Sequence, residues 1–416
     1  MKRVACTIIS LNYLPYARTL YESFVAHHPD CPFFVLLVDT MPTDLSITQD
    51  NLHLITLSQL NLPDIEQISF KYDLLELNTN VKPSFLKYLL ALGAEKVLYF
   101  DPDIYVYHEV GFIYELLEDY NIIFTPHCVS PTPDHDRSLE QAFLSLGVYN
   151  LGFVAVSAKP ETIAFLDWWE ERCLSLGYSE ARTGLFVDQK WVNLAPVFFD
   201  KVLTLKHAGC NVAYWNLFER RLASDTTGWL VNKDIPLIFF HYSGVELSDG
   251  DNISSKSRTK LTFAERPDLK DLFSEYKKCV QHNTQDIKEY DYSFGKFTDG
   301  TPVSLLARRV YASLLNSGVR LERPFDAKGA FYKLARRKGL IGAKDSSHKY
   351  DSRNYNPADR KLTLLHMLFR ITLHIAGNDR YTMLLKYLGY CAVLRNQAAI
   401  LEATCSSAGA SGVKKL

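Results

Sequence analysis

The sequence predicts an α/β fold, with a parallel, Rossmann-like sheet covered by helices on both faces and a mainly helical C-terminal extension. Three observations point there. Short apolar runs alternate with amphipathic stretches of helical period over about the first 240 residues. Several of those runs end on an aspartate or histidine, at the carboxyl ends of strands where ligands bind in such sheets. After about residue 290 the alternation stops, and two long helical patterns follow.

Taken in order, "RVACTIIS" reads as a first strand and "YARTLYESFVAHH" as a helix, with Leu20, Phe24 and His27 at helical spacing. "PFFVLLVD" is a buried strand ending at Asp39, and "LHLIT" a third strand. "KPSFLKYLLALG" is a helix with Gly93 beyond its end, and "KVLYFD" the next buried strand. Then come the strands "NIIFTPH" and "LGFVAVS", the helix "TIAFLDWWEERCLSLG" and the strand "PLIFFHYSG". "VELSDGDNISSKSRTKLTFAERPD" lacks periodicity and reads as a mobile loop or linker. "KLTLLHMLFRITLHIAG" and "RYTMLLKYLGYCAVLRNQAAILEA" are helices with wide apolar faces, expected to pack on the preceding domain. The expected division is a sheet domain over 1–285, a helical domain over 286–405 and a disordered tail over 406–416.

Composition narrows the function classes. A net charge of −1 gives no reason to expect nucleic acid as a partner. The eight cysteines are scattered without a C-x-x-C, which argues for reduced thiols rather than zinc or disulfides. "MKRVACTIIS" breaks at Asn12 without a cleavage pattern, and no run of about 18 apolar residues occurs. A cytoplasmic protein is expected. Residues 301–350 hold eleven Lys and Arg against three Asp and Glu. That basic segment reads as a solvated face, a peripheral dock for an anionic membrane or lipid-linked acceptor, or a protein contact.

Chemistry concentrates at "KVLYFDPDIYVY". Asp101 and Asp103 follow a buried strand, and like charges there call for a bound cation or a polar loop. Side chains at i and i+2 of a flat strand share a face, and Pro102 restrains the backbone between them. Magnesium or manganese would take such carboxylates together with substrate phosphates. "HCVSPTPDHDRSLEQAF" offers His127, Asp134, His135 and Asp136 as an exposed loop or a second metal site. "NVAYWNLFERR" offers Tyr214 and Trp215 as core or as an acceptor platform.

At this point the chain resembles the GT-A-fold glycosyltransferases, and among them glycosyltransferase family 8, the galactosyl- and glucosyltransferases that include glycogenin. "TIISLNYLPYARTLYESF", "VKPSFLKYLL" before "KVLYFDPD", "YNLGFVAVS", "DQKWVN" and "FFHYSG" match that family's motifs in order over residues 4 to about 245. The resemblance implies a metal-dependent hexosyltransferase using a nucleotide-diphospho-sugar, most plausibly UDP-hexose, with retention of configuration. The acceptor would be a saccharide, a lipid-linked saccharide or a protein. It implies Asp101, Asp103 and His241 as ligands of Mn2+ or Mg2+. It places Thr7, Ser10, Asn12, Tyr13 and Asp39 at the nucleoside, Lys82 and Pro102 at the donor, and Gly244 in the closing motif. Asn150 and Gly152 would line the sugar pocket, with Asp188 and Gln189 beside the donor sugar, the glutamine near the anomeric carbon and the acidic group orienting hydroxyls.

Two departures stand out. Lys190 follows Asp-Gln where the family has Asp, and "HYSGVELSDG" lacks the family's Lys-Pro-Trp, leaving the cation at the leaving group to Lys256, Arg258, Lys260, Lys206 or His207. The rival readings are a magnesium-dependent phosphatase, a nucleotidyltransferase and an inactive sugar-nucleotide binder.

Overall fold

A computed structural model describes residues 2–43, 50–133, 137–248, 250–257, 261–285, 287–341 and 360–402. The tail expected over 406–416 lies outside them. The chain forms two compact units. One comprises residues 1–65 and 74–293, the other residues 66–73 and 294–416.

The first unit is built on seven strands: β1 (Arg3–Ile9), β2 (Phe33–Leu37), β3 (Leu52–Thr56), β4 (Lys96–Phe100), β6 (Ile122–Pro126), β7 (Tyr149–Ser157) and β8 (Val202–Thr204). Their order is β8-β6-β7-β4-β1-β2-β3. Every residue of β2, β4 and β7 is buried, as continuous apolar runs covered on both faces require. Six strands run parallel, but β7 is antiparallel to both β4 and β6. Periodicity misses this because a doubly covered strand shows the same apolar run in either direction.

Between β4 and β6 lies β5 (Ile104–Val106), which pairs antiparallel with β9 (Phe239–His241) outside the main sheet. The sequence expects "PLIFFHYSG" as a further strand of the alternation; its paired part is β9, which joins β5 instead. This pairing sets His241 opposite Ile104. The helix Leu14–Val25 packs Leu20 and Phe24 into a core shared with Phe100, Phe153 and Phe239.

The second unit is organised by Phe70. Its ring meets Tyr311 and Phe325 at 4.8 Å, Phe331 at 5.2 Å and Phe297 at 5.7 Å between centroids. Beside it Arg308 is buried, donating from one nitrogen to the carbonyls of Ser69, Phe70 and Tyr72 and from the other to Phe294 O. These carbonyls end the Ile65–Lys71 helix, where acceptors lack intrahelical partners and a cation complements the dipole. Arg309 is buried as well. The expectation of a solvated basic face is therefore corrected at both arginines, which helix ends and core recruit inward. Arg336 and Arg337 do stay exposed.

The late helical patterns form one long element, Arg360–Ala392, broken at Gly377 with φ 76° and ψ 168°. None of its residues is buried, so the expectation that its apolar faces pack away is not met.

Arg308→Leu should destabilise the second unit by about 3 kcal/mol, since several buried carbonyls lose a charged donor together. Denaturant melts would read this as a lowered midpoint. An unchanged midpoint would mean that those carbonyls find other donors and that Arg308 is dispensable.

Candidate metal and donor site

Asp101 leaves β4 with its amide donating to Gly152 O at 2.7 Å, and its own carbonyl accepts from Ile104 N at 3.0 Å. That bond closes a turn with Pro102 at its second position, where a fixed φ is favourable. The two carboxylates thus converge through a turn rather than along a flat strand. Across from them, β9 ends at His241, whose Nε2 lies 3.0 Å from Asp103 Oδ1 and 3.8 Å from Asp101 Oδ2. The ligand atoms of Asp101, Asp103 and His241 all lie within 4.8 Å of one another. Among the described residues no other group of three such donors converges.

The orientation of His241 is set from behind. Asn211 donates from Nδ2 to Thr125 Oγ1 at 2.8 Å and to Asn150 Oδ1 at 3.0 Å, which turns its Oδ1 toward His241 Nδ1 at 3.3 Å. Nδ1–H then donates to Asn211, and Nε2 is turned toward the two carboxylates, where a neutral imidazole could share a cation with them. Three electron-rich groups meeting in this way suit a divalent cation. Burial works against the ionised form of Asp103, yet His241 beside it and Lys256 beyond hold its pKa below the usual carboxylate value.

Gly152 makes the arrangement possible. A Cβ there would sit 2.4 Å from His241 Cε1 and 2.5 Å from Nδ1. Its amide donates to Asn150 Oδ1 at 3.1 Å, so Asn150, Gly152 and Asn211 form one buried support. Asn211 was missed from sequence. The sequence offers only an Asn after Gly-Cys in "GCNVAYWN", a residue type that tolerates the left-handed backbone found there at φ 52°.

Lys82 and Asp188 form an ion pair at 2.7 Å, each side chain 2% exposed. The same Nζ donates to Leu151 O at 2.8 Å, lies 4.4 Å from the Tyr99 ring centroid and 4.0 Å from Asp101 Oδ1. Tyr99 in turn donates to Asp101 Oδ1 at 2.7 Å. Burial raises the Asp188 pKa, against the pull of Lys82. Gln189 accepts from Leu151 N and donates to Leu146 O, both at 3.2 Å, so its amide is held by main chain.

The opening turn is tied down by Asp39, which accepts from Leu11 N and from Ser293 N, each at 2.8 Å. Ser10 Oγ donates to Asn12 Oδ1 at 2.6 Å, and Thr7 is fully buried in β1. Tyr13 is 39% exposed and lies against Tyr16 at 5.0 Å. Its pKa rises to about 12, through burial first and then the charges of Asp103 and Asp101 and the neighbouring Tyr16. Gly244, at φ 72°, lets the following loop fold back, and Lys256 Nζ donates to Ser243 Oγ at 3.0 Å. Of the cations suggested by sequence, Lys256 is the one whose charge acts on Asp103. His207 instead accepts from Gly209 N, while Arg258 and Lys260 lie outside the described residues.

Trp215 is buried edge-on to His241 at 5.1 Å, which favours packing over a stacking platform. His127 is buried between Phe143 and Trp215, with Nδ1 3.2 Å from Val148 O. Asp134, His135 and Asp136 lie outside the described residues.

No family model matches the chain. An uncharacterized Bacillus subtilis (strain 168) protein, YfnF, is 26% identical over 305 residues, 71% of this chain and 98% of its own. A second from that strain, YfnD, is 23% identical over 302 residues, covering 71% and 93%. Among solved structures, galactosyltransferase LgtC with donor and acceptor sugar analogs aligns over 69% of this chain and 97% of its own, at 15% identity and TM-score 0.40. The Streptococcus pneumoniae TIGR4 glycosyltransferase GlyE aligns over 71% and 67%, at 16% and 0.41. The chemistry of the site rests on its own geometry.

Gly152→Ala should leave the sheet folded but push His241 aside, weakening Mn2+ binding at least tenfold by titration calorimetry. Unchanged affinity would remove His241 from the ligand set. His127 yields a pH dependence. Burial lowers its pKa to about 4. The folded value lies below the unfolded one, so its contribution is present above about pH 6.5 and is lost as pH falls toward 4. That loss is on the order of 3 kcal/mol. His127→Phe should flatten the decline in stability across that window, whereas an unchanged slope would assign it to other groups.

Proposed function

We propose that the chain is a metal-dependent glycosyltransferase that moves a hexose from a nucleotide-diphospho-sugar, with UDP the favoured nucleotide, to a saccharide, lipid-linked saccharide or protein acceptor. The observation that carries this is the convergence of Asp101, Asp103 and His241 at the carboxyl end of the sheet. The five ordered motifs behind the family resemblance point the same way. Mn2+ or Mg2+ held by these three residues would stabilise negative charge growing on the departing diphosphate.

The chain's own groups then divide the work. Lys256, anchored on Ser243, supplies a positive charge near the ligand set and takes the place of the missing lysine of the family's closing motif. Tyr13 offers an exposed ring for the base, while Asp39 shapes the turn that presents it. Asp188 stays ionised through Lys82 and is assigned, with Asn150, to the hydroxyls of the donor sugar. Gln189 is assigned beside the anomeric carbon, and retention follows from that assignment.

Thermal shift against UDP, GDP, dTDP and CMP, each with and without Mn2+, tests the donor. The expected result is a manganese-dependent shift with UDP above the others. Asp101→Asn and Asp103→Asn should keep the fold and lower release of nucleoside diphosphate on the order of a hundredfold or more. His241→Ala should lose less and recover partly as Mn2+ is raised. Near-normal turnover in either aspartate variant would overturn the metal assignment. Release of inorganic phosphate from simple monoesters would favour the phosphatase, and nucleotide binding without any turnover the inactive binder.

A further inference from the structure

Independently of the glycosyl-transfer reading, the Arg360–Ala392 helix has a surface that nothing among the described residues of its unit covers. Twelve of the twenty-four exposed large hydrophobic side chains of the described residues fall between Leu364 and Tyr390. Gly377 breaks the helix there, and its positive φ is one that a side chain rarely adopts. Phe369 and Tyr381, on either side of that break, meet at 6.4 Å, so the two halves fold back on each other.

That contact uses one face of the first half. A second stripe remains, formed by Leu364, Met367, Leu368, Ile371 and Ile375 at i, i+3, i+4, i+7 and i+11, between 45% and 82% exposed. The second half repeats the pattern with Met383, Tyr387 and Tyr390. A helix apolar on two faces needs something apolar on both. The charges choose what that is. Arg360, Lys361, Arg370, Arg380 and Lys386 stand against Asp379 alone on this helix.

We propose that this broken helix docks on an anionic lipid surface, its apolar stripes entering the acyl boundary and its cations meeting phosphate headgroups. A second copy of the chain fits less well, because pairing would set cations against cations with one carboxylate per helix to offset them. Crossing the bilayer is excluded by length. Halves of about 17 and 15 residues rise about 25 and 22 Å, short of a hydrocarbon core of about 30 Å, and no helix among the described residues is long and apolar enough to span. Tyrosines beside lysine and arginine suit the interface itself.

The test is co-sedimentation of the full chain with phosphatidylcholine vesicles, with and without phosphatidylglycerol, at low and high salt. Binding is expected only with phosphatidylglycerol, falling at least tenfold at high salt. Ile371→Ser with Ile375→Ser should cut partitioning at least tenfold while leaving the thermal midpoint and donor turnover in solution unchanged. Both positions are exposed, so folding does not confound the result. No binding to anionic vesicles at low salt, or equal binding to both vesicle types, overturns the proposal. So does light scattering that finds a dimer which the double variant converts to monomer. Turnover without lipid separates this outcome from failure of the glycosyl-transfer reading.

Discussion

The site depends on an absent side chain. Gly152 sits in β7, at the middle of the sheet, and its carbonyl fixes Asp101 while its missing Cβ leaves room for His241. Two residues earlier, Asn150 holds both the Gly152 amide and Asn211, and Asn211 selects the His241 tautomer. Two residues of one buried strand, with Asn211 from another part of the chain, therefore position Asp101 and His241. The third, Asp103, is placed by the turn that Pro102 permits and by the β5–β9 pairing. Support of this kind, from groups that touch no ligand, is what fixes metal-binding side chains in position.

Behind the ligands lies a second layer of charge. Lys82 is the cation nearest Asp188 and also lies within 4.0 Å of Asp101. As a source of stability a buried pair is weak, since desolvation offsets most of the attraction. Its value here is in charge balance: without Lys82, Asp188 would be a buried carboxylate close to two others. Burial raises the Asp188 pKa, and Lys82 pulls against it.

Much of this was legible in the sequence. Strands β1, β2 and β4 announce themselves as apolar runs, and the acidic pair after β4 stands out by itself, whereas the distant histidine joins it only through the family resemblance. What stayed hidden depends on three-dimensional closure. The direction of β7 leaves no trace in its composition, because burial on both faces erases the alternation that would distinguish it. Asn211 carries no periodic signal, since its role arises from a left-handed turn and three partners far apart in sequence. Asp39 reads from sequence either as a nucleoside contact or as a cap on the loop that follows, and the structure shows each of its oxygens accepting a main-chain amide, one of them from Ser293. A carboxylate at a strand end looks the same in sequence whether it meets a ribose or a backbone.

The second unit inverts the usual relation between residue type and depth. Arg308 is buried because a helix end supplies more carbonyl oxygens than the helix can pair, and a planar five-donor group can satisfy several at once. Leu364 and Ile375 are exposed, while the ring contact across Gly377 is made on another face of the helix. Counting charges along 301–350 therefore does not say which of them face outward: Arg308 meets carbonyls at a helix end, whereas Arg336 and Arg337 stay exposed. Exposure decides which charges a partner can feel, and exposure is set by where backbone acceptors go unpaired.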